Sequence, residues 1–196
     1  RRPPGSTPFP STTLFRSFGP TGVGILFGKK ELLDAMPPYQ GGGDMIKEVR
    51  MEKTIYNEIP HKFEAGTPNI AGGIGAGSAL RYALQLDWKS IHEHENKLLA
   101  HLTDTLENIP GSRIYGSAPN KISTVSFLVE GTHPYDVGVL LDKLGVAVRT
   151  GHHCTQPVMQ HFGIPGTIRA SLAFYNTLEE IDTFAAGLDR AINMLK

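Results

Sequence analysis

Arg149-Thr150-Gly151-His152-His153-Cys154 is the stretch on which the reading of this chain turns. Its cysteine is the only one among 196 residues. A second run follows downstream, Arg169-Ala170-Ser171-Leu172 and then Tyr175-Asn176-Thr177. The thiolate is the nucleophilic form of cysteine, and neighbouring positive charge favours it. Arginine stays charged at any working pH and can hold a carboxylate through two parallel hydrogen bonds. The pattern therefore reads as a reactive thiol beside a carboxylate clamp. The plainer alternative is a buried cysteine acting as a small hydrophobe.

Outward from this stretch, strand and helix signals alternate. Residues 122–129 read as a strand with Val125, Phe127 and Val129 on one face. Residues 134–144 read as a helix, with Pro134 near its first turn and Gly145 just past its end. A strand over 146–148 precedes the Cys154 loop, and a short helix from Pro157 and a strand near 168–171 come after it. Thr177-Leu178-Glu179-Glu180 is a capping box, and Ile181, Phe184, Leu188, Ile192 and Leu195 continue at helical spacing. Upstream, Ser90-Ile91-His92-Glu93 reads as another capping box. It opens a helix with Ile91, Leu98, Leu102 and Leu106 near one face, ended by Pro110-Gly111. His94 and His101 share a face of that helix, as a solvated pair or as a metal pair.

Asn69 is a favourable N-cap for a helix through Leu86, in which Ala71, Gly75 and Gly77 permit close packing. The glycines at 72–77 lack a preceding strand, so they are not a dinucleotide fingerprint. Residues 23–27 read as a buried strand and 37–44 as a loop. Residues 1–17 are rich in Pro, Ser and Thr and show no apolar period, which predicts disorder. The organisation expected is a non-native or disordered segment over 1–17, the tail of a larger α/β domain with connecting helices over 18–109, and an α+β small domain over 110–196.

Composition narrows the classes. Nineteen basic residues balance nineteen acidic ones, so charge makes no case for nucleic acid or an anionic membrane surface. A single cysteine excludes an internal disulfide framework and suits a reducing, cytoplasmic setting. No apolar run approaches the ~20 residues of a membrane span. The two leading arginines have no apolar segment behind them, so they do not open a secretory signal.

The central stretch, with Gln156-Pro157 after it, resembles the active-site loop of group II, SUF-type cysteine desulfurases of the class V aminotransferase group. Gly19-Pro20-Thr21-Gly22-Val23-Gly24, Gly41-Gly42-Gly43-Asp44-Met45-Ile46 and Phe63-Glu64-Ala65-Gly66-Thr67-Pro68-Asn69 are similar to that family in the same order. The likeness runs from about Phe18 to Lys196 and corresponds to the C-terminal half of such a protein.

The resemblance implies fold type I and pyridoxal phosphate as cofactor. It implies conversion of L-cysteine to L-alanine through a persulfide on Cys154, with sulfur passed to an acceptor protein of the SUF system for iron–sulfur cluster assembly. It implies a homodimer in the full-length enzyme. Arg169 resembles the substrate-carboxylate clamp, and Arg149 an active-site loop residue. Thr67 resembles the residue that reaches the partner subunit's cofactor phosphate. His152 and His153 shuttle protons, raise local potential or shape the loop, and the sequence does not separate these roles.

The resemblance also exposes a departure. The family carries His-Lys before the Gly-Pro-Thr-Gly run, and that lysine bonds the cofactor; the aligned positions here are Phe15 and Arg16. A guanidinium does not supply the neutral amine that Schiff-base chemistry needs. The stretch 1–17 does not resemble the family and looks like translated adapter sequence joined to a gene fragment, so the chain by itself is expected to be inactive. Two alternatives stand beside the desulfurase: a selenocysteine lyase, and a non-catalytic module that carries a thiol or persulfide.

Overall fold

The computed structural model describes the backbone of Phe9–Thr12 and residues 19–196 in full. The chain divides into two compact units, Arg1–Leu86 and Asp87–Lys196.

The C-terminal unit opens with helix α3 (Trp88–Glu107), numbered after two helices of the other unit. It continues through strands β5 (Ser112–Tyr115) and β6 (Thr124–Val129), helix α4 (Pro134–Lys143) and strand β7 (Arg149–Gly151). Helix α5 (Gln156–Phe162), strand β8 (Thr167–Ser171) and helix α6 (Leu178–Leu195) complete it. The four strands form one antiparallel sheet in the order β5-β6-β8-β7. Side chains alternate across a strand, so Val125, Phe127 and Val129 of β6 share a face with Ile168 and Ala170 of β8. That face is buried under α3, α4 and α6, through Leu98, Leu102, Leu106, Val137, Leu141, Phe184 and Leu188. Phe127 and Phe184 meet edge to face at 6.1 Å.

Local signals explain where these helices begin. Thr177 accepts from the Glu180 amide while the Glu180 carboxylate takes the Thr177 amide, the reciprocal capping box expected at α6. At α3 the expectation moves. The cap is Asp87, which accepts from the Lys89 and Ser90 amides. Ser90 sits inside the helix and gives its hydroxyl to Asp87 at 2.6 Å. This bond is the largest cause holding the Asp87 carboxyl below its ordinary value. Helix α3 also belongs with the C-terminal unit, because Leu98, Leu99, Leu102 and Leu106 lie in its core. The strand expected at 146–148 falls instead at Arg149–Gly151, while Val146 and Val148 pack against the core.

The N-terminal unit contains the pair β1 (Phe9–Thr12) and β2 (Gly24–Phe27), helix α1 (Lys30–Ala35), the pair β3 (Ile46–Val49) and β4 (Thr54–Tyr56), and helix α2 (Ile70–Leu84). Asn69 caps α2 through the Gly72 amide at 2.9 Å, as expected. A side chain at Gly72 would meet Val23 at 2.7 Å, and one at Gly75 would meet Pro20 at 2.9 Å. Two expectations change here. Phe9–Thr12 is an extended strand paired antiparallel with β2, where disorder was expected; the rest of 1–17 lies outside the described residues. Strand β2 is exposed at every residue, because nothing among the described residues covers it. Positions 15 and 16, on which the lysine comparison rests, lie outside the described residues.

Candidate active site on the Cys154 loop

The site grows from the edge of the C-terminal sheet. Among the described residues, strand β7 pairs only with β8, in the register Arg149↔Arg169 and Gly151↔Thr167. Ile168 and Ala170 point into the core, so Arg169 between them emerges on the other face. Arg149 stands directly across the ladder from it. Beyond Gly151 the backbone turns sharply. His153 and Cys154 both have positive φ, 53° and 61°, a region that non-glycine residues seldom occupy. The Thr155 amide and hydroxyl both donate to the His152 carbonyl, at 2.9 and 2.7 Å, and close this turn before α5 begins.

Cys154 is exposed, so the buried-hydrophobe alternative does not apply. An Arg149 Nη donates toward its sulfur at 3.8 Å. The thiol opens into a cleft of about 470 Å³ lined by Arg149, Thr150, His152, His153, Gln156 and Pro157. A second cleft, about 420 Å³, lies between α5 and the outer sheet face and includes Tyr115, Ser126, Phe162, Thr167 and Arg169. His153 lines both. These volumes are in the range of small-molecule sites.

Electrostatics in the two clefts are one-sided. Like charges directly opposite across a ladder repel. Among the described residues, no carboxylate forms an ion pair with Arg149 or Arg169. Arg169 Nε and His153 Nδ1 are both buried without a hydrogen-bond partner. Burial first, and then the Arg169 charge, hold the His153 imidazole below its ordinary pKa; its bond to Thr167 opposes them. The arrangement is complementary to a small anion lying beside a thiol.

Cys154, His152, His153, Arg149 and Arg169 are thus brought to one end of the sheet. Thr67 is not part of this grouping: it is an exposed bend residue in the N-terminal unit, just before Pro68. Of the glycines at 41–43, only Gly42 has a packing reason. A side chain at Gly42 would meet the Gly66 amide at 3.1 Å, and the Gly43 carbonyl accepts from Gly66 at 2.9 Å. His94 and His101 are both partly exposed, as a solvated helix face allows, and each ring has a protein partner. His94 Nε2 bonds the Asn176 carbonyl at 2.9 Å, and His101 Nε2 bonds Asp182 at 2.7 Å. The sequence reading overlooked Thr167, Gly166 and Ser126. Pro165-Gly166 was a turn signal, but nothing in the sequence marked Thr167 as the partner of His153.

Comparison with known proteins gives the chain a family. The aminotransferase class V family model matches residues 15–184. The chain belongs to the aminotransferase class V family. The match begins at residue 15, inside the stretch expected to be unrelated. A probable cysteine desulfurase of Xylella fastidiosa strain 9a5c is 51% identical over 187 residues, 95% of this chain and 45% of its own length. A cysteine desulfurase of Synechococcus elongatus is 51% identical over 173 residues, covering 88% of this chain and 28% of its own. Among solved structures, the cysteine desulfurase CsdA of Escherichia coli, in its S-sulfonic acid form, superposes with a TM-score of 0.87 at 39% identity. That likeness covers 92% of this chain and 45% of the other. The chain therefore spans less than half the length of these relatives.

Proposed function

We propose that this chain is the C-terminal part of a pyridoxal-phosphate-dependent cysteine desulfurase, with Cys154 as the sulfur-accepting thiol. The observation that carries the reading is the pair Arg149 and Arg169. The two stand opposed across one ladder, without a carboxylate partner among the described residues, beside an exposed thiol. Their guanidiniums hold the L-cysteine carboxylate, and this fixes the substrate sulfur toward Cys154. In the net reaction the carbon–sulfur bond of L-cysteine breaks and a sulfur–sulfur bond forms on Cys154. The substrate carbon is reduced to the methyl of L-alanine, and the two sulfurs are oxidised to the persulfide Cys154–S–SH. The thiol proton of Cys154 and that of the substrate appear in the persulfide and the methyl group, so no outside oxidant or reductant is needed. His152 and His153 serve the loop as proton carrier or as support. Full-length dimerisation, with Thr67 reaching a partner's cofactor phosphate, and sulfur delivery to an acceptor for iron–sulfur assembly in the cytoplasm belong to the same reading.

When bound, pyridoxal phosphate supplies the electron sink for carbon–sulfur cleavage. The described residues around Cys154 do not fit that group. Neither cleft contains a lysine amine for covalent attachment or a carboxylate for the ring nitrogen. No step above is therefore routed through it. With Arg16 at the lysine position, the same observation favours a thiol- or persulfide-carrying module for the chain as it stands. A fusion separates these readings. The chain joined behind the N-terminal half of the Xylella fastidiosa relative, with the relative's lysine in place, is expected to bind the cofactor and release alanine from cysteine. The chain alone should give no saturable cofactor binding and no alanine. A folded, cofactor-loaded fusion that forms no alanine, or one that still turns over with Cys154→Ser, defeats the desulfurase reading.

A further inference from the structure

We propose that His153 is a positioning residue: its imidazole latches the Cys154 loop to β8 through Thr167, which leaves His152 as the imidazole free to move protons at the thiol. The inference rests on the reading of Cys154 as the reactive thiol. It deepens that reading by separating two adjacent histidines that the sequence does not distinguish.

The latch is visible in the contacts. His153 Nε2 lies 2.9 Å from the Thr167 hydroxyl and 3.1 Å from the Thr167 carbonyl. A carbonyl only accepts, so the proton belongs on Nε2. Nδ1 then keeps a bare lone pair, and it is the buried atom without a partner. Thr167 is a buried anchor, 1% exposed and paired with Gly151 in the ladder. Beneath the loop there is no slack, since a Cβ at Gly166 would lie 2.9 Å from the Gly151 carbonyl carbon. The loop itself needs a tether, because His153 and Cys154 are held consecutively at positive φ.

The same surroundings disfavour His153 as the proton carrier. A second proton would sit on buried, unpartnered Nδ1 and would face Arg169 from β8, Arg149 from β7 and His152 from the loop. Each of these charges disfavours it. His152 is exposed and lines the Cys154 cleft without such a bond.

Two measurements on the full chain test the latch, and neither requires turnover. Imidazole ¹⁵N spectra, assigned with His153→Gln, should find His153 as the neutral Nε2–H tautomer at pH 6.5, where an ordinary imidazole is half protonated. Amide exchange at residues 152–155 should quicken about fivefold in His153→Leu, the size expected for one lost neutral hydrogen bond. His153→Gln, whose amide can donate from near the Nε2 position, should return exchange to the wild-type rate. Thr167→Val keeps the carbonyl and removes the hydroxyl, so it should give an intermediate rise. If His153→Leu fails to fold, Thr167→Val and the tautomer still decide. An Nδ1–H tautomer, an imidazolium at pH 6.5, unchanged exchange in both variants, or no recovery with glutamine overturns the proposal. Failure of the latch while the fusion still forms alanine removes this inference alone. An intact latch in a fusion that forms no alanine removes the desulfurase reading alone.

Discussion

The two units of this chain differ in how far each closes on itself. In Asp87–Lys196, one sheet face and three helices bury a contiguous core that includes Phe127, Leu141, Ile168 and Leu188 with no exposed surface. In Arg1–Leu86, the only buried residues among those described are Met45, Gly72 and Ala76. There β2 exposes Ile25, Leu26 and Phe27, and α2 exposes Ile70, Ile74 and Leu84, the last at 83%. Both units have capped helices and regular strands. Local structure alone does not make a stable unit, because a helix or ladder is held chiefly by what covers its apolar face.

Cutting the chain at the boundary tests this contrast most severely. Residues 87–196 are expected to be soluble and monomeric with a single cooperative melt. Residues 1–86 alone should show no cooperative transition and should associate, as open strand edges and apolar patches do. Light scattering and thermal circular dichroism on the two pieces give the answer. A cooperative melt from 1–86, or none from 87–196, breaks the comparison.

Matched truncations give the next largest effect. Phe127→Ala leaves a cavity in the core and is expected to cost about 3–5 kcal/mol. Leu84→Ala removes a side chain that is already in water and should change stability by less than about 0.5 kcal/mol. Denaturant titration of the full chain reads both. Equal losses would mean that α2 is covered by something the exposures do not reveal.

The smallest effect is a pH dependence confined to the C-terminal unit. His153 has its pKa lowered by folding, so the unfolded chain binds more protons in the window below about 6.5. Stability from this group is complete above that window. It falls as pH drops from about 6.5 toward the lower folded value and is flat beneath it. The melting midpoint of residues 87–196 should show this component, and His153→Gln should remove it. A midpoint that instead rises as pH falls through the window contradicts the sign.

The parts of the fold legible in sequence were those where one rule acted without competition. Helix α6 shows its capping box and apolar period, α4 its Pro and Gly ends, and β6 its strict alternation. Rules that compete misled the reading. Ser90 and Glu93 imitate a capping box, but Asp87 lies one turn earlier and takes the amides first. Val146 and Val148 look like a strand, yet the ladder forms on Arg149–Gly151, whose composition says little about β structure. The apolar run at β2 suggested burial, which depends on a cover that a local pattern does not report. At the site, the candidate residues stood out by type and family likeness. Their division of labour was not, because it depends on Thr167, which lies fourteen residues from His153 and meets it only through strand pairing.

The contact between Gly166 and Gly151 bears on how this protein tolerates genetic change. Gly166 has φ 152° and Gly151 φ 108°, and the backbones approach too closely for a methyl group between them. Any replacement at Gly166 must push the two strand ends apart, carrying Thr167 on one side and the cysteine loop on the other. A residue with no side chain, and so no chemistry of its own, thereby becomes a place where a single missense change shifts the Cys154 loop while leaving every candidate site residue in the sequence.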